Sequence, residues 1–323
     1  MKKSHTLRAL CLLLALLMLS AALAACGSQG KPKIEENKGE NAAAYPYVVR
    51  TKSAIWYLAA DDIALLGEDA YYDGLYAILE NQEADFADAR EALKGFIDKD
   101  IPPIEIRTDF SGRAEASALY GAYYHPQRNF IKVFDNWEVA QTTLLHEYVH
   151  YLTMHCAQQP ATRGFYAEGI ANYISCVACQ NRMARSVNYA QPEENLAMYK
   201  AGGAWDESGD CLDLPKFYFG TAQLYAMGVM NGMDYYSVSD IMEPRTEQLA
   251  DPLIWHVSHF EAACILDYLV ETYGRDAVLQ NLSTAPEDFE SVYGLPFTEV
   301  YQKWFVWNTQ RCVELGLNFD NIG

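Results

Sequence analysis

Basic residues are scarce in this sequence, and their scarcity excludes several classes of partner. The chain of 323 residues has 24 lysines and arginines against 43 aspartates and glutamates, which gives a formal net charge of −19. The first 25 residues contain three basic and no acidic residues, so the net charge without them is −22. Such a surface disfavours nucleic acid and anionic lipid headgroups. We therefore expect no nucleic-acid partner and no membrane binding through charge.

Long apolar runs are also missing, apart from one at the start of the chain. Residues 10–23 are apolar, follow a basic start and lead through small residues to Cys26. A membrane-spanning helix needs about 20 apolar residues, so the run predicts an export signal. The four residues that end at Cys26, Leu-Ala-Ala-Cys, resemble a bacterial lipobox, in which the cysteine is lipidated. The alternative is a plain secretory signal cut near Ala25.

The region after the signal has little that a folded core can bury. Residues 27–44 are rich in Gly, Lys, Glu and Asn, a composition that predicts a disordered tether. We therefore divide the chain into a lipoprotein signal peptide at 1–26, a tether at 27–44 and a folded domain at 45–323. The mature protein is expected outside the cytoplasm, lipid-anchored to the bacterial cell membrane, or secreted if the signal is not a lipobox.

A second C-x-x-C pair is lacking, so the cysteines cannot form a four-cysteine zinc site. Cys176 and Cys179 form the single pair, inside an apolar helical pattern that favours core packing or a disulfide over a redox motif. Export permits disulfides, but sequence does not determine their connectivity. The cysteines that follow the signal are Cys156, Cys176, Cys179, Cys211, Cys264 and Cys312.

Regular alternation of strands and helices is absent too. Apolar periodicity predicts strands at 47–50, 54–58, 104–108 and 129–134. It predicts helices at 62–81, 84–97, 137–156, 164–182, 217–230, 259–273, 275–282 and 297–315. Since the strands come first and the helices later, the pattern indicates an α+β fold.

Histidine is also infrequent, with seven in the chain, yet two of them form a motif. His146-Glu147-Tyr148-Val149-His150 is an H-E-x-x-H sequence within the predicted helix at 137–156. Residues four apart share one helical face, so both imidazoles can bind one zinc ion. Glu147 lies beside that face, where it can deprotonate a metal-bound water. The alternative is a surface helix with two ordinary histidines.

A third ligand is needed, because catalytic zinc usually has three protein ligands and one open position. Glu168 lies in the next predicted helix, among the apolar and small residues of Tyr166-Ala167-Glu168-Gly169-Ile170-Ala171. A carboxylate in such surroundings is costly to bury unless it is paired or bound to a metal. Glu168 is therefore the candidate third ligand, and the alternative is that it faces solvent.

These two motifs together resemble the gluzincin zinc peptidases. The resemblance implies that His146, His150 and Glu168 hold one Zn²⁺ ion per chain and that Glu147 is the general base. It implies a zincin-like fold, with a small N-terminal sheet beside the zinc-binding helices, a mainly helical C-terminal lobe and a cleft near 129–173. Asn172, four residues after Glu168, would accept a hydrogen bond from a ligand imidazole.

The resemblance also implies a substrate strand and an oxyanion-stabilising residue. The strand upstream of the zinc helix matches the edge strand that pairs with the substrate backbone in this family. The helix that begins at His259, with His256 one turn before it, is similar to one whose first tyrosine stabilises the oxyanion in aminopeptidase-like gluzincins. Here an imidazole N–H of either histidine could donate instead. The residues assigned to substrate pairing are Asn129, Phe130, Ile131 and Lys132.

One family feature is missing: no Gly-x-Met-Glu-Asn segment precedes the zinc helix. That absence disfavours strict aminopeptidase action and favours an endopeptidase. The expected function is zinc-dependent hydrolysis of extracytoplasmic peptides or proteins, with a zinc-bound water activated by Glu147 as the nucleophile. Two alternatives are a catalytically idle peptidase-like lipoprotein that binds a partner, and an amidase that acts on cell-wall peptides. The sequence does not determine the oligomeric state.

Overall fold

The computed structural model describes residues 32–112, 121–134, 136–160, 163–178, 252–284 and 288–314. The predicted export signal with Cys26 and the predicted helix at 217–230 lie outside these residues. The described chain is a mixed α+β structure with one sheet and several helices. The strands are β1 (Ile34–Glu36), β2 (Tyr47–Arg50), β3 (Ala54–Leu58), β4 (Ile104–Thr108), β5 (Ala122–His125) and β6 (Phe130–Val133).

Helices pack against one face of the sheet and make up most of the later part of the described chain. A short helical segment, α4, lies between two π-helical turns, Arg163–Glu168 and Tyr173–Ala178. The helices are α1 (Ala60–Leu66), α2 (Glu68–Ala92), α3 (Trp137–Thr153), α4 (Gly169–Asn172), α5 (Pro252–Tyr273), α6 (Arg275–Gln280), α7 (Phe289–Tyr293) and α8 (Phe297–Glu314). Among the described helices none is both long and apolar enough to cross a membrane.

The six strands form one mixed sheet in the order β1-β2-β3-β4-β6-β5. The pairs β1–β2, β2–β3 and β5–β6 are antiparallel, and β3–β4 and β4–β6 are parallel. Parallel strands need a long connection. The connection from β3 to β4 contains α1 and α2, and the one from β4 to β6 contains β5. Within the described residues, β1 and β5 are the two edges of the sheet.

The position of β6 corrects the predicted substrate strand. We expected the strand at 129–134 to be an edge strand, but β6 pairs with β4 on one side and with β5 on the other. Its main-chain groups are therefore used within the sheet, and Phe130, Ile131 and Lys132 are not open to strand addition. Asn129 lies in the preceding turn with φ 54°. Within the described residues the edge on this side is β5, where the sequence predicted no strand.

The two faces of the sheet differ because side chains alternate along each strand. One face is apolar and packs against α2 and α3, with Trp56 6.0 Å from Trp137 between ring centroids. The other face carries cations over aromatic rings. Arg107 lies 4.1 Å from the centre of the Phe130 ring, and Lys132 pairs with Asp109. Helix α3 packs on the apolar face, where it contacts β5 and β6.

The first helical region breaks at a different place from the predicted one. We expected helices at 62–81 and 84–97, but the chain bends at Gly67, whose φ of 81° favours glycine, and α2 continues through residues 82 and 83. Gln82 is buried and accepts a hydrogen bond of 2.6 Å from Trp56 Nε1, and Glu83 accepts one from Ser53 N. These polar residues fasten α2 to the β2–β3 turn.

The predicted tether is also partly folded. Ile34–Glu36 forms β1 and pairs with β2, so the fold begins at least ten residues earlier than Tyr45. After β1, Asn37 donates from its backbone N to Pro46 O and from its side chain to Tyr45 O. Polar composition concealed this strand, because its stability comes from main-chain pairing and from one half-buried side chain, that of Ile34.

One continuous hydrophobic cluster connects the sheet with the C-terminal helices. It extends from Val49 to Trp304 and includes residues of α3, α4 and α5. Within it α5 lies along α4, where a Cβ added to Gly169 would be 2.9 Å from Leu266 Cδ1. The described parts of the sheet region and of the helical region therefore share a core beside α3 and α4.

Candidate metal centre

Helix α3 brings the two histidines and the glutamate of the H-E-x-x-H motif to the junction of the sheet and the helices. Its buried side is held by Tyr148, whose ring stacks on Phe86 with centroids 3.5 Å apart. Arg90 Nε donates a 2.6 Å hydrogen bond to the Tyr148 hydroxyl. Because Tyr148 lies between the two histidines in sequence and points into the core, both histidines are directed to the opposite side, toward α4.

Three ligand-type atoms converge on that side. His146 Nε2 and His150 Nε2 are 3.0 Å apart, and Glu168 Oε2 lies 3.1 Å from the first and 3.2 Å from the second. The histidine side chains are each 16% exposed and that of Glu168 is 22% exposed. These are the described residues that form a group able to hold a metal ion. The structure thus places together the three predicted ligands.

The protonation of His146 bears on what the triad can bind. Its Nδ1 lies 2.8 Å from Asn172 Oδ1. Because an amide oxygen only accepts hydrogen bonds, Nδ1 carries the proton in the neutral ring and Nε2 carries a lone pair. That lone pair faces a carboxylate oxygen and a second imidazole nitrogen. A metal ion among these atoms, or a proton shared in a hydrogen bond between two of them, would offset the repulsion of their lone pairs.

The donor set fits zinc and other transition metals better than calcium or magnesium. Zinc is bound at about 2.0–2.1 Å by imidazole nitrogen and carboxylate oxygen, and tetrahedral ligands at that distance are about 3.3 Å apart. The observed separations of 3.0–3.2 Å are close to this value. Calcium and magnesium prefer sites made of oxygen ligands, which two imidazoles do not supply. Three protein ligands leave a fourth position for water or substrate.

Glu168 reaches the histidines from an unusual segment of helix. It ends the π-helical turn Arg163–Glu168, and Gly169–Asn172 continues as α-helix. A π-helical turn contains an extra residue, which changes the direction of the side chains that follow it, and such turns are frequent at functional sites. Gly169 then allows α5 to approach closely, since its absent Cβ would lie 3.2 Å from the backbone carbon of Ala262.

Glu147 lies beside the triad but is directed toward the sheet edge. Its Oε2 accepts a 2.6 Å hydrogen bond from the backbone N of Tyr124 in β5. Burial raises the pKa of Glu147, and the neighbouring His146 and His150 partly oppose that rise. A carboxyl group with a raised pKa accepts and returns a proton more readily near neutral pH than an exposed glutamate.

Tyr124 is the residue of this site that sequence analysis missed. It lies in β5, and its ring packs 6.0 Å from that of Tyr151, one turn after Glu147 on α3. A signal was present: Ala122-Tyr-Tyr-His125 is a short β-prone run, separated from the strand at Phe130 by turn residues that include Pro126. This pattern predicts a β-hairpin, in which residues 122–125 form the strand before the turn.

The remaining histidines and cysteine that the sequence singled out are not placed in the triad. His256 and His259 belong to α5, which packs on α4, but their side chains are not among those that the structure describes. Their assignment to the oxyanion stays a prediction. His155 lies beyond the end of α3, with its ring 4.9 Å from that of Tyr151 and its Nδ1 3.7 Å from Asp98. Cys156 is a buried free thiol, and burial raises its pKa to about 12.

Comparison with known proteins adds no relative to this geometry. No protein-family model matches the chain, and no curated protein and no solved structure is similar to it at a significant level. Its function must therefore be inferred from its own residues and their arrangement.

Proposed function

We propose that this chain is a zinc-dependent peptidase of the gluzincin type with a zincin-like fold. The observation that carries the proposal is the convergence of His146 Nε2, His150 Nε2 and Glu168 Oε2 at 3.0–3.2 Å, with Glu147 next to them on the same helix. Each of these residues has the side chain that the chemistry needs. Asn172 keeps one imidazole in the ligand tautomer.

A zinc ion held by His146, His150 and Glu168 would polarise a scissile carbonyl and lower the pKa of the attacking water far below that of free water. Glu147 Oε1 takes the proton of the attacking water as the water oxygen bonds to the carbonyl carbon. The same carboxyl group then gives the proton to the leaving amine nitrogen as the C–N bond breaks. His256 or His259 donates an N–H to the developing oxyanion. Partial burial of the site strengthens each of these polar interactions.

The proposed substrate is an extended stretch of peptide or protein outside the cytoplasm. Edge strand β5 borders Glu147, and a peptide in extended conformation can pair with an open strand edge through main-chain hydrogen bonds. Strand β5 replaces residues 129–132 in this role, because β6 is paired on both sides. Strand pairing binds peptides in mid-chain, which agrees with endopeptidase action. The proposed location is the outer side of the membrane, through a lipid on Cys26.

Metal content is the first test of the proposal. The purified protein is expected to bind about one zinc ion per chain, measured by elemental analysis after exchange into chelator-treated buffer. Zinc binding should be lost or greatly weakened in His150→Ala and in Glu168→Ala. His155→Ala is the matched control, since His155 follows the same helix but faces Asp98, and it should retain the metal.

Hydrolysis is the second part of the test. Digestion of a peptide library by the zinc-loaded protein, followed by mass spectrometry, should show cleavage that Glu147→Gln abolishes while zinc content is unchanged. A folded wild-type protein that binds no zinc would refute the proposed site. Zinc binding without cleavage, in wild type and variant alike, would refute the peptidase function and leave a metal-binding protein.

A further inference from the structure

The main-chain groups of β5 alternate between the sheet and its open side. Phe134 N donates a 2.8 Å hydrogen bond to Gly121 O, and the register pairs Ala122 with Val133. In an antiparallel ladder, hydrogen-bonded and non-hydrogen-bonded pairs alternate. Residues 121, 123 and 125 therefore bond to β6, and Ala122 and Tyr124 direct their N–H and C=O groups to the open side.

One of these open-side groups already has a partner in the site. Tyr124 N donates to Glu147 Oε2 at 2.6 Å, a length typical of hydrogen bonds to a charged acceptor. In the described part of the chain, this is the hydrogen bond that Glu147 makes, and it uses one of the two carboxyl oxygens. Oε1 takes no part in this bond.

We propose that the backbone N–H of Tyr124 is a positioning group for the general base. This inference rests on the proposed function and deepens it. The N–H fixes one oxygen of Glu147 and so orients the other toward the reacting water. Tyr124 is not a catalytic residue in this role, because the main-chain N–H acts through the carboxylate and touches no reacting atom.

The arrangement also limits how a substrate can pair with β5. Ala122 is buried, so its groups on this side of β5 are not exposed to an incoming peptide. Tyr124 is half-buried, and its N–H is already bonded to Glu147. Its C=O is therefore the group that Tyr124 can offer to a peptide strand.

Amide hydrogen exchange tests the bond without any need for activity. Tyr124 N–H does not bond to β6 and is protected by its hydrogen bond to Glu147. Its exchange should therefore be slow in wild type and at least about tenfold faster in Glu147→Ala. The amide of Tyr123, which faces β6, should exchange equally in both proteins. Glu147→Gln keeps an acceptor oxygen and should retain part of the protection. Equal exchange of Tyr124 in wild type and Glu147→Ala would overturn the proposal.

Proline substitutions test the role in catalysis. Proline is tolerated on an edge strand where the missing N–H faces outward, so Tyr124→Pro removes the donor and keeps the pairing with β6. Tyr124→Ala removes the same ring and keeps the donor. On a peptide that the wild type cleaves, Tyr124→Pro should have a kcat about 10- to 100-fold lower than Tyr124→Ala, with equal zinc content.

Ala122→Pro is a matched proline in the same strand and should behave differently. It removes an N–H of β5 that does not bond to Glu147, so it should lower kcat less than Tyr124→Pro does. Equal kcat in Tyr124→Pro and Tyr124→Ala, or the same kinetic change in both proline variants, would refute the positioning role. If the wild type neither binds zinc nor cleaves peptides while Tyr124 N–H is protected from exchange, the proposed function and the role of Glu147 as its base are refuted. The hydrogen bond between Tyr124 and Glu147 would stand.

Discussion

The side-chain amide of Asn172 determines which nitrogen of His146 carries a proton. Asn172→Ala removes the 2.8 Å contact with Nδ1, so the imidazole loses both its orientation and its preferred tautomer. We expect zinc affinity to fall about 10- to 100-fold, as for other residues that support metal ligands. Competition with a fluorescent zinc chelator measures the change.

Asn172→Asp provides the matched control for this prediction. The substitution keeps the size and the acceptor oxygen, and its negative charge makes the ligand imidazole more basic. Zinc affinity should therefore equal or exceed that of wild type. Similar weakening in the alanine and aspartate variants would show that the amide contributes packing and not a hydrogen bond to His146.

At the scale of single elements, α4 and α5 approach each other closely at Gly169. Gly169→Ala would place a Cβ 2.9 Å from Leu266 Cδ1 and 3.2 Å from the Ala262 backbone carbon. Backbone cannot move aside as a side chain can, so overpacking should cost about 1–3 kcal/mol in the free energy of unfolding. Urea denaturation of the metal-free protein measures this loss.

The same substitution should also weaken zinc binding, because Glu168 precedes Gly169 and shares its helix. The double variant Gly169→Ala/Leu266→Ala separates the two causes. Shortening Leu266 removes the closest clash but not the one with the α5 backbone, so stability should not return to that of wild type. Unchanged stability of Gly169→Ala alone would contradict the close approach of these helices.

The elements also show how far sequence reasoning reaches. Strands β2, β3 and β4 were predicted at their observed bounds. In β3 and β4 buried and half-buried side chains alternate, which is a local pattern, and β2 is a short run rich in β-branched residues. The break in α2 was predicted wrongly at residues 82–83. Gln82 is polar but buried against Trp56, and a contact between distant residues cannot be seen in local composition.

Within the candidate site, the predicted ligands came from short motifs whose spacing has a direct geometric meaning. His146, Glu147 and His150 depend only on helical periodicity, and Glu168 was predicted from the cost of burying its charge. Tyr124 acts through its backbone, and no side-chain pattern reports a backbone contact. The edge position of β5 depends on strand order, which the sequence of elements along the chain does not determine.

At the scale of the whole molecule, the early start of the fold has a measurable effect. A chain that begins at Tyr45 lacks β1 and exposes the edge of β2, including the main chain beside Val48 and Val49. A chain that begins at Pro32 keeps this pairing. We expect the shorter chain to unfold at a temperature lower by a few degrees and to aggregate more readily through the exposed strand. Scanning calorimetry and light scattering compare the two chains, and equal behaviour would show that β1 contributes nothing to stability.

The strand order also determines how far β5 lies from the point where the chain enters the sheet. Strands β1 and β5 are opposite edges of the sheet, and neighbouring strands are about 4.8 Å apart, so about 24 Å separates the entry of the chain from the strand beside Glu147. If Cys26 carries a lipid, the six residues before Lys33 extend at most about 20 Å. A tether of that length would hold the folded chain in a narrow zone above the bilayer, with β5 at the sheet edge opposite to the anchored one. Under the proposed peptidase function, peptide bonds directly at the lipid surface would then be out of reach of Glu147.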